Sequence, residues 1–177
     1  MSNPTFSTGS VDLPAAGSYR IDPTRSSVNF RIYHMFGLGR VSGAMKIASG
    51  KVTVDPVLPA VGVQVTVDTA SVDTGLGMRD NDVRRRFLKV KKYPELTFNA
   101  SDLIEAGDGR ELRGSLVVRG VSAPVTLKIN SAELTDRGFR AQASTRIDRY
   151  AVGVTTAKGM AGRFLDVELT VQAELIG

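Results

Sequence analysis

The chain of 177 residues has no cysteine, no tryptophan and a single histidine, His34. Without cysteine there are no disulfide staples, no thiolate metal ligands and no cysteine nucleophile. One histidine and no thiol also argue against a transition-metal site, so no metal and no cofactor is expected. No stretch approaches the roughly 20 consecutive apolar residues of a membrane-spanning helix. The opening MSNPTFSTGSVDLPAAGSYR has no basic region followed by a continuous apolar one. An export signal is therefore not expected, and the chain reads as cytoplasmic.

What is present is ordinary for a globular domain: 42% hydrophobic and 23% charged residues, with 18 glycines that imply many turns. The length fits one domain with a single core. The net charge of +5 is concentrated in one place. Between Met78 and Lys92 seven cations (Arg79, Arg84, Arg85, Arg86, Lys89, Lys91, Lys92) face two carboxylates, Asp80 and Asp82, and the remainder of the chain is balanced.

Residues 1–18 are rich in Ser, Thr, Pro and Gly without periodicity, as in a flexible arm. From Tyr19 onward the dominant period is two. Val28, Phe30 and Ile32 alternate with polar neighbours, as do Val61, Val63, Val65 and Val67; Leu96, Phe98 and Ala100; Leu112, Leu116 and Val118; and Val125, Leu127 and Ile129. Further runs lie at 40–47, 51–55, 139–147 and 165–175, with turn signals in ASGK (48–51), AGDGRE (106–111), RGVSAP (119–124) and TDRG (135–138). Eight or nine half-buried strands of this kind close into a barrel or stack as a sandwich. One segment differs: Val83, Phe87 and Val90 recur at i, i+4 and i+7 within 76–90, which predicts a short amphipathic helix ended before Pro94. A single helix in a barrel is expected to cover an open end.

No constellation for catalysis emerges. His34 could be paired formally with Ser26, Ser42 or Asp55, but no nucleophile-elbow sequence is present. RDND (79–82) lacks the glycine and distal glutamate of a calcium loop, and GLGRVSG (37–43) lacks the Lys-Ser/Thr of a phosphate loop. The chain is read as a non-enzyme. The basic run is open to two accounts, a solvated helix face or a surface for lipid headgroups, with nucleic acid disfavoured by the shortage of nearby aromatics.

Four separated blocks, YRIDPTRSSVNFRIYHMFGLGRVSGAMK (19–46), VDTASVDTGLGMRDNDVRRRFLKVKKYPELTF (67–98), LRGSLVVRGVSAPVTL (112–127) and IDRYAVGV (147–154), resemble the YceI-like family of lipocalin-like, polyisoprenoid-binding proteins. The resemblance implies an all-β fold for residues 19–177: an eight-stranded antiparallel barrel with a short helix beside its mouth. It also implies an elongated apolar tunnel for an isoprenoid-type lipid or isoprenoid quinone, a binding or transport role, and often a homodimer. Relatives usually show Arg-Asp-x-His-Leu where this chain has RDNDV, and Asp-Phe-Phe-Asp where it has Arg86, Phe87, Leu88 and Lys89. Many relatives are also exported.

On this reading the lipid-facing positions are Phe30, Ile32 and His34 on one strand, Val65 and Val67 on another, and Phe98, Leu116, Val118 and Leu127 further along. Ile147, Val167 and Leu169 complete the wall, and Phe87 and Leu88 turn in from the helix. Arg79, Arg84, Arg85, Arg86 and Lys89 are expected at the mouth, toward a headgroup or in peripheral contact with a membrane.

Overall fold

The computed structural model describes residues 13–34, 38–57, 60–107 and 109–176. Nine strands form a single antiparallel sheet: β1 Gly17–Ile21, β2 Ser27–His34, β3 Gly39–Val54, β4 Val61–Asp73, β5 Glu95–Ala106, β6 Gly109–Val118, β7 Val121–Leu134, β8 Gly138–Asp148 and β9 Ala161–Leu175. From β3 the order runs β2, β9, β8, β7, β6, β5, β4 and back to β3, so the sheet has no free outer edge. The ring has eight positions because β1 and β2 share one of them. Both lie between β3 and β9, interrupted by DPTRS at 22–26, where Asp22 accepts from the Thr24 amide and hydroxyl. Closure removes the unpaired strand edges that an apolar open sheet would expose.

Two expectations on strand lengths are corrected. The expected turn at ASGK is instead continuous β3, whose pairing with β4 slips between Ile47 and Ser49. Here small residues mark a bulge, with Gly50 packed under Ile21, and bulges increase the bend that barrel closure needs. Strand β4 also runs on to Asp73, well past Val67. By contrast, RGVSAP turns where expected: Arg119 (φ 52°) and Gly120 (φ 76°) form the two-residue hairpin loop between β6 and β7. Of the arm expected at 1–18, residues 1–12 lie outside the described residues, Leu13 packs against the core, and Gly17 and Ser18 belong to β1.

The helical segment replaces strand at one end of the barrel, between β4 and β5. It begins as α1, Gly77–Asp82, and continues as a wider π-helical turn, Val83–Leu88, closed where the Lys89 and Val90 amides both donate to the Arg84 carbonyl. Asp80 is buried and accepts from both the amide and the hydroxyl of Thr74, while Arg79 donates to the Thr74 hydroxyl and carbonyl. Arg84 reaches back to the β4 carbonyls of Ala70 and Val72 at 2.9 and 2.8 Å. The segment is thus clasped to the end of β4 before any apolar packing is counted.

Packing divides between the two ends. At the helical end Leu88, Val118, Ala123, Val152, Val154 and Val72 form a filled cluster, against which Phe87, Val83 and Phe30 pack. The loop 149–160 completes it around Arg149, which is 4% exposed and donates to the carbonyls of Gly162, Val154, Thr156 and Ala161 at 2.7–3.1 Å. Burial away from any bonded carboxylate pushes the Arg149 guanidinium below its ordinary pKa, yet arginine remains charged. Its plane also lies 5.6 Å from the Phe87 ring centroid, so loop and helix are joined at one side chain. The far end packs around Tyr19, Ile21, Val52, Val61 and Phe139, with the Tyr19 and Phe139 rings edge to face and the Tyr19 hydroxyl donating to the Ala15 carbonyl.

Two outcomes follow. Arg149→Lys removes the planar fork and leaves buried carbonyls without donors; it should lower stability by at least about 1.5–3 kcal/mol, read by urea denaturation. The Thr74 hydroxyl, more than any other neighbour, holds the Asp80 carboxyl below its ordinary range. A depressed carboxylate contributes stability above its unfolded pKa of about 3.9 that is lost as pH falls through the lower folded value. Asp80→Asn should therefore be less stable than the parent at neutral pH, with the difference shrinking in acid-unfolding series below about pH 4.

Candidate functional site

Between the filled helical end and the far rim lies a cavity of about 200 Å³. Its wall takes one face from every strand position of the ring: Val28 on β2, Val52 on β3, Val63, Val65 and Val67 on β4, Phe98 and Leu103 on β5. Leu112, Leu116 and Leu127, then Ala141, Ala143 and Ile147, then Val167, Leu169 and Val171 continue it around β6 to β9. Leu13 and Pro14 close part of the far rim together with Val61, Ala132 and Phe139. Among the described residues only two of those lining the cavity have polar side chains, Thr145 and Arg110. The Thr145 hydroxyl is already engaged, donating to the Thr126 carbonyl at 2.8 Å where the β7–β8 pairing has ended.

The residues expected to face a ligand divide in an informative way. Val65, Val67, Phe98, Leu116, Leu127, Ile147, Val167 and Leu169 line the cavity together. Phe30, Val118, Phe87 and Leu88 also point into the barrel, but they belong to the filled cluster beyond the cavity's inner limit. Phe30 lies over Gly43, where a Cβ would come within 2.5 Å of the ring, and Leu88 is 8% exposed. Ile32 packs beside Gly162, and the imidazole of His34 covers Gly39 on the paired strand. None of these last three β2 side chains lines the cavity, because the end of β2 lies at the plugged end.

His34 is also remote from two of its formal catalytic partners, while the third, Ser42, stands opposite Arg31 on the paired strand, three residues along and in the other facing phase. Asp55 follows β3 at the opposite end of the barrel, and Ser26 interlocks with Gln172, whose amide donates to the Ser26 oxygen at 3.0 Å. No described pair of side chains sets a base beside a nucleophile in the cavity.

The basic residues separate too. Arg79 and Arg84 direct their donors at Thr74 and the β4 carbonyls, which corrects the expectation that Arg84 faces water or phosphate. Arg86 pairs with Asp82 at 3.1 Å, while its carbonyl accepts from Thr156. Arg85 is 81% exposed and only 3.8 Å from the same carboxylate, and Lys89, Lys91 and Lys92 are exposed. Asp82 thus partly neutralises the run, leaving four cations on the outer surface of the plugged end.

Many lining residues were not among the expected ligand-facing positions: sequence reasoning placed some, such as Val28, Val63, Leu112 and Ala143, only on an apolar strand face, and it missed Leu13, Pro14, Leu103 and Arg110 altogether. For Leu103 the cause is the bulge between Ala100 and Asp102, which moves the inward phase of β5 from even to odd positions. Arg110 continues the even-numbered face of Leu112, Leu116 and Val118, so its inward direction was readable; its charge concealed it.

The chain was compared with known proteins. A family model described as the YceI-like domain matches residues 19–175. Proteins YceI of Salmonella arizonae and Salmonella heidelberg are each 34% identical over 180 residues, covering 96% of this chain and 90% of theirs. Among solved structures, Burkholderia cenocepacia BcnA superposes with a TM-score of 0.74 at 24% identity, over 85% of this chain and 98% of that one. A polyisoprenoid binding domain from Saccharophagus degradans, implicated in plant cell wall breakdown, gives 0.67 at 15% identity, over 89% and 98%. These structural likenesses carry the fold, and the family match with the Salmonella relatives carries membership: the chain belongs to the YceI-like family.

Proposed function

We propose that the protein is a non-catalytic carrier that holds the chain of an isoprenoid-type lipid in the barrel cavity. The observation that carries this reading is a wall of aliphatic and aromatic side chains, contributed by all eight strand positions, around a space closed at one end by the cluster of Leu88 and Val118. The polyisoprenoid-binding description of the Saccharophagus neighbour supports the choice of ligand class. Burying apolar surface is favourable by about 25 cal/mol per Å², so a cavity of this kind needs no catalytic groups to retain its occupant. Its volume lies below the roughly 300–1,000 Å³ of pockets for drug-sized ligands. A slender chain suits it, and a longer one requires Leu13 and Pro14 to swing out of the rim.

A second element of the proposal is peripheral contact with anionic membrane through the outer surface of the plugged end. The exposure of Arg85, Lys89, Lys91 and Lys92 favours it, at about 1 kcal/mol for each cation brought close to such a surface.

Each element has its test. Ala143→Phe adds a ring to open space, so the domain should stay folded with a stability change of about 1–3 kcal/mol at most. In fluorescence titration its affinity for farnesol should fall about tenfold or more, the equivalent of some two methylenes displaced; unchanged affinity would place the ligand elsewhere. For the membrane element, Arg85→Glu with Lys89→Glu should weaken sedimentation with phosphatidylserine vesicles at low salt while farnesol binding stays at the parent value. Equal vesicle binding by parent and variant would remove it.

A further inference from the structure

Arg110 is the one charged residue among the described residues of the cavity wall, and its place is at the rim farthest from the basic helix. It begins β6, two positions before the buried Leu112 on the same face and opposite Ile129 of β7. Its side chain lines the cavity and is 22% exposed, so it is buried against the wall for most of its surface, as long cationic side chains with apolar stems can be. Its ionic partner among the described residues is Glu105, directly opposite on β5. That pairing is loose. The separation is 3.6 Å, no hydrogen bond joins the two, and the Glu105 side chain is 84% exposed.

A half-buried guanidinium with a poorly seated counter-ion, the one charged group among the described residues of an apolar cavity wall, has the design of an anion anchor. We propose that Arg110 binds the polar end of the ligand when that end carries an oxyanion, phosphate or carboxylate, and that Glu105 is the counter-ion the ligand displaces. This rests on the carrier reading and adds an orientation to it: headgroup at the far rim beside Leu13 and Pro14, chain running inward toward the cluster of Leu88 and Val118. The planar fork of arginine matches an oxyanion through two parallel N–H···O bonds, which a neutral alcohol cannot reproduce. Glu105 opposes the same ligand through like charge and competition for the same donors. The two residues of one ion pair therefore act on affinity with opposite signs, and a purely structural pair would not.

The test compares farnesyl phosphate with farnesol, which share a chain and differ in the headgroup, by fluorescence titration of the full chain, with thermal unfolding confirming that each variant folds. Arg110→Gln should weaken farnesyl phosphate about ten- to a hundredfold and leave farnesol within about twofold, while Arg110→Lys, which keeps the charge without the fork, should fall between. Glu105→Gln should tighten farnesyl phosphate severalfold and leave farnesol unchanged. If Arg110→Gln weakens both probes equally, the residue is wall and not anchor. If Glu105→Gln weakens farnesyl phosphate, the counter-ion assignment fails. If the parent protein binds farnesyl phosphate and Arg110→Gln binds it equally well, the headgroup lies elsewhere while the carrier reading stands. If the parent binds neither probe, carrier and anchor fall together.

Discussion

Unequal filling of the barrel's two ends is the constraint on which the rest of the structure depends. Closing strands with one apolar face into a ring hides their edges but leaves an interior to be filled. Here Leu88, Val118, Ala123, Val152 and Val154 pack together beyond the cavity and close one end, whereas at the other end Val52, Val61 and Phe139 are buried in a cluster that lines it. That plug is not a product of the strands alone, although Val118 of β6 and Ala123 of β7 contribute to it. Its other members are brought by two inserted segments, the helical turn between β4 and β5 and the loop between β8 and β9, each of which must be pinned against the hydrogen-bonding demands of its own backbone. Arg149 meets those demands for the loop by donating to four carbonyls, and Asp80, Arg79 and Arg84 meet them for the helix by tying it to Thr74 and β4.

The charged helix in an otherwise β chain is explained by this division of labour. Its apolar side closes the barrel; of the cations, Arg79 and Arg84 fasten the segment to Thr74 and β4, Arg85 and Arg86 share Asp82, and Lys89, Lys91 and Lys92 are on the surface. Of the phrases that carry the resemblance, Arg79 and Asp80 are the residues that clasp Thr74, whereas the residues that depart from them, Asp82, Val83, Arg86, Leu88 and Lys89, do not line the cavity: Val83 and Leu88 pack in the plug, and Asp82, Arg86 and Lys89 lie toward the surface. These departures therefore alter the plug and the outer surface and leave the cavity wall as it was.

Much of this was legible in the sequence, and the failures have definite physical causes. Alternation of period two located eight cavity residues because the wall is half-buried sheet, where burial and phase coincide. Alternation carries no information about depth, however, so Phe30, Val118, Phe87 and Leu88 were assigned to the same face as Val65 and Phe98 although they sit beyond the cavity. Bulges broke the phase: the slip after Ala100 hid Leu103, and the small residues of ASGK looked like a turn when they mark a bend in a long strand. Arg84 was misplaced because a guanidinium on a helix looks like a solvated charge, and only the neighbouring carbonyls of Ala70 and Val72 show it to be internal. Arg110 was passed over for the same reason in reverse: its phase pointed inward, but charge was taken as a sign of the outside.

The account's central claim is that an apolar chain occupies the unfilled half of the barrel. The most direct measurement is native mass spectrometry of freshly purified protein, followed by organic extraction and identification of what is released. The account predicts a stoichiometric adduct with an isoprenoid chain, retained through purification and lost on extraction. A clean mass for the bare chain, unchanged after incubation with isoprenoid lipids, would contradict it.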